Sequence, residues 1–151
     1  MSALIAVWLW FVSIFGGVAC LDTPTMSLVR DVPGSIAWYR PPGVIQVESW
    51  LRLQPTRLRA VVTHELAHHH WYECHIPQRA AGRRFLRFAE QPGWTREAKE
   101  EWAATLTWVL TGWDDHYGLV RRDAARAFRH LIVNPTPAMR LRIGAIQGEG
   151  T

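Results

Sequence analysis

The feature that most constrains this chain is its beginning. From Ser2 to Leu21 the run SALIAVWLWFVSIFGGVACL carries no charged side chain, and Asp22 ends it. So apolar a stretch must leave water, either in lipid or in a protein core. About 20 uncharged residues suffice to span a bilayer, so residues 1–21 read first as a hydrophobic leader, a transmembrane anchor or signal segment. Cleavage or lipid attachment near Gly17-Val18-Ala19-Cys20 is a second reading, and a buried N-terminal helix is a third. The first two make the protein membrane-associated, through residues 3–21, or exported. The third leaves it cytoplasmic. Positive charge lies only on the C-terminal side of the leader, which favours a cytoplasmic domain for an anchored protein.

Beyond the leader, the 151-residue chain is about one domain long. Apolar residues make up 48%, enough for a core, and charged residues 20%, which argues against wholesale disorder. The net charge of +4 comes almost wholly from arginine, since Lys99 is the only lysine. That excess is modest and gives no firm case for nucleic acid. Cys20 lies in the leader and Cys74 far from it, so no intramolecular pair is expected and no disulfide framework can be read.

Pro24, Pro33 and Gly34 mark residues 22–34 as a linker. The runs SIAWY and VIQVES, separated by Arg-Pro-Pro-Gly, read as a small β-hairpin or sheet. Pro55 and Thr56 open a helix whose stripe Leu58, Val61, Val62 runs into His64. Further helices follow over QRAAGRRFLRFAE, over WTREAKEEWAATLTWVLTGW, with Thr95 as cap and Gly112 as stop, and over LVRRDAARAFRHLIV. Residues 35–134 form the expected domain, and 135–151 a loose tail. The fold class is α+β: a small sheet packed on a central helix, with about three further helices and a hydrophobic N-terminal one.

His64-Glu65-Leu66-Ala67-His68 fits H-E-x-x-H. On a helix, positions i and i+4 stack on one face, so two imidazoles can share one ion. Glu65, rotated by about 100° from His64, can reach a water activated by the metal without being a ligand. His64 and His68 are therefore candidate metal ligands and Glu65 the candidate catalytic base. His69 and His70 turn away from that face and are expected to pack or support. The longer pattern H-E-x-x-H-x-x-G-x-x-H is absent, because Trp71 and Cys74 stand at its glycine and last histidine. A catalytic zinc needs a third ligand, and the acidic helix offers several. Glu101, beside the apolar stripe, ranks first, followed by Glu97, Glu100 and His116, with Cys74 a chemical possibility. His116, Tyr117 and Tyr72 are candidate oxyanion donors.

With VVTHELAHHHW followed by KEEWAATLTWVLTG, the chain resembles the zincin metallopeptidases with a downstream glutamate ligand, and among small ones the ImmA/IrrE-type peptidases. Aligning the helices puts Glu101 on the ligand glutamate. The resemblance implies a zincin-like active-site helix, a Zn²⁺ cofactor and a protein or peptide substrate. It also implies a strand that pairs with that substrate, for which VIQVES is the natural candidate. The expected activity is zinc-dependent peptide hydrolysis with Glu65 as general base. The competing reading is a non-catalytic, metal-stabilised binding module. In it, Arg79, Arg83, Arg84 and Arg87, with Arg121, Arg122, Arg126 and Arg129, contact nucleic acid or anionic membrane. The sequence sets neither the oligomeric state nor the cleavage preference.

Overall fold

The structure, a computed structural model, describes residues 1–17, 20–115 and 117–144. The first helix, α1 (Ala3–Ile14), is capped by Ser2, whose hydroxyl accepts the Ile5 N–H at 3.3 Å. Leu4, Val7, Trp8, Phe11 and Ile14 recur at helical spacing and are buried. Gly16 and Gly17, both at positive φ, end the helix. Among the described residues no helix is long and apolar enough to cross a membrane. The inward face of α1 leaves water by packing into the protein: Phe15 stacks on His70 at 4.6 Å between centroids, and Val133 N–H bonds the Ile14 carbonyl. The expected cut near Gly17–Cys20 falls partly on residues 18 and 19, outside the described residues.

This return of the chain corrects the expectation about the cysteines. Cys20 and Cys74 form a disulfide, with Cα atoms 5.1 Å apart across 54 residues of sequence. With α1 folded onto the helix that carries His70, the end of the hydrophobic stretch reaches that helix's last turn.

Three strands form a mixed sheet in the order β1-β3-β2. The hairpin is as expected: β2 (Ala37–Arg40) pairs antiparallel with β3 (Val44–Glu48), Tyr39 opposite Ile45. The supposed linker contains a further strand, β1 (Thr25–Val29), parallel to β3 from Thr25↔Val44 to Val29↔Glu48. No residue of β1 is fully buried, so it lacks the alternation that would have revealed it. Between β1 and β2, the buried Glu48 carboxylate accepts the Val32 N–H at 2.5 Å.

The central helix, α2 (Pro55–Glu73), starts with Pro55 in its first turn and is buried on several sides. Leu58, Val62 and Leu66 enter the core, while His69 and His70 face the sheet and α1. A short 3₁₀ turn leads to α3 (Ala80–Phe88). There Gly82 sits so close to the Ile76 carbonyl that an added Cβ would lie 2.1 Å from its oxygen. Helix α4 (Arg96–Thr111) has the expected ends: Thr95 accepts the Ala98 N–H, and Gly112 closes it in the left-handed region. Trp102, fully buried, packs edge-on against Phe85, Trp94 and Phe128.

The last expected helix differs. Residues Arg122–Phe128 form a 3₁₀ helix. Its buried side chains, Ala124 with Ala127 and Ala125 with Phe128, repeat every third residue, matching three residues per turn. The expected loose tail contains α5 (Pro137–Ile143), capped by Thr136 and anchored by buried Met139 and Ile143. The fold is thus α+β, a small mixed sheet with helices around it.

Candidate metal centre

His64 and His68 lie one turn apart on α2, with ring centroids at 5.0 Å. Both Nε2 atoms face one carboxylate of α4: His64 Nε2 is 3.1 Å from Glu100 Oε2, and His68 Nε2 is 3.3 Å from Glu100 Oε1. One donor atom from each of the three residues lies within 4.8 Å of the others. Zinc bonds of about 2.0–2.1 Å place tetrahedral ligands about 3.3 Å apart, and each imidazole nitrogen lies near that distance from one of the two Glu100 oxygens. Two neutral imidazoles and a carboxylate also suit zinc chemically.

The third member is therefore Glu100, not Glu101, which the sequence ranks first. Glu101 is fully buried, as its place beside the apolar stripe implies, but its partners lie elsewhere. Arg121 donates from Nε at 2.8 Å and from Nη2 at 2.5 Å to Oε1, and Gln91 Nε2 donates at 3.0 Å to Oε2. The sequence did carry a signal for Glu100: one and two turns on stand Ala104 and Thr107, small residues that line the cleft with it. Glu97 acts on Arg121 instead, supporting its charge. Cys74 is consumed in the disulfide. His116 lies outside the described residues.

The electrostatics are those of a shared, half-buried charge. Burial pushes the Glu100 carboxyl up, but hydrogen bonds with His64 and His68 outweigh it and hold the group well below the usual carboxylate range. Burial would lower His64, yet the Glu100 hydrogen bond and the fields of Glu65, Glu100 and Asp115 carry it above the ordinary histidine value. Glu65 is raised, chiefly by burial. His64 and His68 oppose that shift, Glu100 adds to it, and a hydrogen bond with the Tyr39 backbone works against it. The site thus attracts positive charge and keeps one carboxyl, Glu65, with enhanced proton affinity beside it.

Two chambers meet at this cluster. One, of about 300 Å³, runs past Ile36, Val61, Leu119 and Val120. The other, of about 520 Å³, runs past Trp38, Tyr39, Arg96 and Lys99. Ser35, Ala37, His64, Glu65 and Glu100 border both. VIQVES, expected to meet substrate, is the central strand β3, hydrogen-bonded on both sides. Among the described residues the free edge beside the cluster belongs to β2, whose Ala37, Trp38 and Tyr39 line the cleft. Of the expected oxyanion donors, Tyr117 lines the first chamber, whereas Tyr72 borders neither.

Comparison with protein-family models, curated proteins and solved structures finds no match to this chain.

The neighbouring histidines point away from the cluster, as the helix period implies. His69 Nε2 bonds the Asp22 carbonyl at 2.7 Å and its Nδ1 lies 3.4 Å from the Tyr39 hydroxyl. His70 is sealed among Phe11, Phe15 and Trp102, and burial lowers its pKa to about 3. Several arginines of the two basic sets are engaged within the fold. Arg126 and Arg87 lie over Phe88, Arg122 over Trp108, Arg83 bonds the Gln78 carbonyl, and Arg121 holds Glu101.

Proposed function

We propose that this chain is a zinc-dependent peptidase acting at the cleft between α2, α4 and β2. The observation that carries the reading is the convergence of His64, His68 and Glu100 at cation-ligand spacing, with Glu65 beside them where two chambers meet. A purely structural site has no need for a carboxylate at the position of Glu65, beside the ligands and lining both chambers. The resemblance to the zincins agrees with this reading, with Glu100 in place of Glu101 as the third ligand.

His64, His68 and Glu100 would hold the ion. Zn²⁺ bound there supplies Lewis acidity, bringing a water's pKa toward about 7 and polarising a carbonyl. Glu65 takes the proton from the attacking water and passes it to the leaving amine. The free edge of β2 offers backbone N–H and C=O groups to an extended polypeptide, which recognises main chain before side chain. Tyr117, which lines the first chamber, is the candidate donor to the developing oxyanion.

The test uses the full chain. Zinc content and hydrolysis of an unstructured protein are measured for wild type, His68→Ala, Glu100→Ala and Glu65→Gln. About one zinc per chain is expected in wild type and in Glu65→Gln, with activity only in the former. Hydrolysis that persists in Glu65→Gln, or a wild type that takes up no zinc, would refute the proposal.

A further inference from the structure

The two chambers differ chemically, and the difference bears on what polypeptide fits. The first is walled mainly by apolar groups around Ile36, Val61, Leu119 and Val120. The second is polar and contains Arg96 and Lys99. Among the described residues the only carboxylates lining that second chamber are Glu65 and Glu100, and both belong to the cluster. Glu97, beside Arg96 in sequence, does not line that chamber. Among the described residues neither Arg96 nor Lys99 lies within ion-pair distance of a carboxylate. Lys99 rests its ammonium 4.8 Å from the Trp71 ring centre, which steadies the side chain without neutralising it. Elsewhere the fold uses its cations: Arg121 on Glu101, Arg122 on Asp114.

We propose that Arg96 and Lys99 select an acidic polypeptide segment, whose carboxylates lie in the second chamber while apolar side chains of the same segment fill the first. This inference rests on the peptidase reading and names its substrate class. A peptide fits better than another polyanion because the chamber that holds the cations and the cluster is also lined by the edge strand β2, at Ala37, Trp38 and Tyr39. A strand edge pairs with a polypeptide backbone, which a nucleic acid lacks. Arg96 is exposed and Lys99 half-buried, so their attraction is moderate and weakens with salt.

The experiment reads binding as well as turnover. Fluorescein-labelled peptides, acidic in one half and apolar in the other, are titrated against the full-length Glu65→Gln protein with zinc. Matched peptides with lysine in place of the acidic residues serve as the comparison. The acidic peptide is expected to bind about tenfold more tightly at low salt. Arg96→Glu with Lys99→Glu, checked for unchanged zinc content, is expected to erase or reverse that preference. Equal binding of the two peptides would overturn the inference. So would a preference that survives the double charge reversal, or equal competition by a single-stranded oligonucleotide. Wild-type cleavage is scored separately. Cleavage without acidic preference defeats the substrate class alone, and acidic preference without cleavage defeats the peptidase reading alone.

Discussion

Glu100 and Glu101 are neighbours on one helix with opposite duties, and exchanging their losses is a sharp test. Glu101→Ala removes a fully buried carboxylate that accepts two hydrogen bonds from Arg121 and one from Gln91. Breaking a buried pair costs about 3–5 kcal/mol when the surviving charge stays buried. Here the Arg121 side chain is 40% exposed and can rehydrate, so about 2–3 kcal/mol is expected, near the lower edge of that range. Arg121 also donates its backbone N–H to Thr105, which limits how far its loop moves. Glu100→Ala removes a carboxylate that is 37% exposed, bonded to half-buried histidines. Without metal it should cost no more than about 1 kcal/mol. With zinc the difference grows: free metal at a thousandfold its dissociation constant stabilises by about 4 kcal/mol, and that increment should vanish. Urea unfolding with and without zinc, beside zinc analysis of the folded proteins, separates the two. The expected pattern is a destabilised Glu101→Ala that keeps zinc and a near-normal apo Glu100→Ala that does not bind it. Zinc lost from Glu101→Ala and kept by Glu100→Ala would refute the assignment.

Three more outcomes are expected. Replacing both Cys20 and Cys74 by serine opens a loop of 54 residues and should lower stability by about 4 kcal/mol on the loop-entropy relation, seen as a lower urea midpoint that reductant no longer shifts. His70, neutral in the core with a pKa near 3, binds its proton more readily unfolded, near 6.5. Stability should be full above about pH 6.5 and fall by about 1.4 kcal/mol per unit toward pH 3. Apo-protein unfolding curves of His70→Phe should lack that share of the acid loss, and an unchanged pH slope would count against it. Phe11→Ala should cost about 3–5 kcal/mol, whereas Leu9→Ala, half-exposed on the other side of α1, should cost about 0.5 kcal/mol or less; equal losses in thermal unfolding would mean α1 is not packed as described.

Much of the fold was legible because its signals are local. The hairpin announced itself by alternation around Pro-Pro-Gly, α4 by Thr95 and Gly112, and the juxtaposed pair His64 and His68 by its spacing on one helix turn. What stayed hidden depends on partners distant in sequence. Strand β1 has no inward face to advertise, because it sits at the sheet edge and hydrogen-bonds a strand 19 residues on. The disulfide needed α1 to return onto α2. Periodicity could say that Glu101 is buried and Glu100 less so. It could not say which of the two meets His64, because a helix wheel shows how buried a face is and not whether His64 or Arg121 stands across from it.

The packing of α1 decides how this protein can be handled. Leu4, Val7, Trp8, Phe11, Ile14 and Phe15 are all buried, and at about 1.5–3 kcal/mol each their combined burial rivals the whole net stability of a typical domain. An expression fragment trimmed to start at Asp22, the natural choice for a chain with so oily a beginning, would strip one wall from the interior. It would open His70 to solvent and leave Cys74 as a lone thiol. Metal or activity assays on such a fragment would report on a damaged molecule, and their silence would say nothing about the intact one.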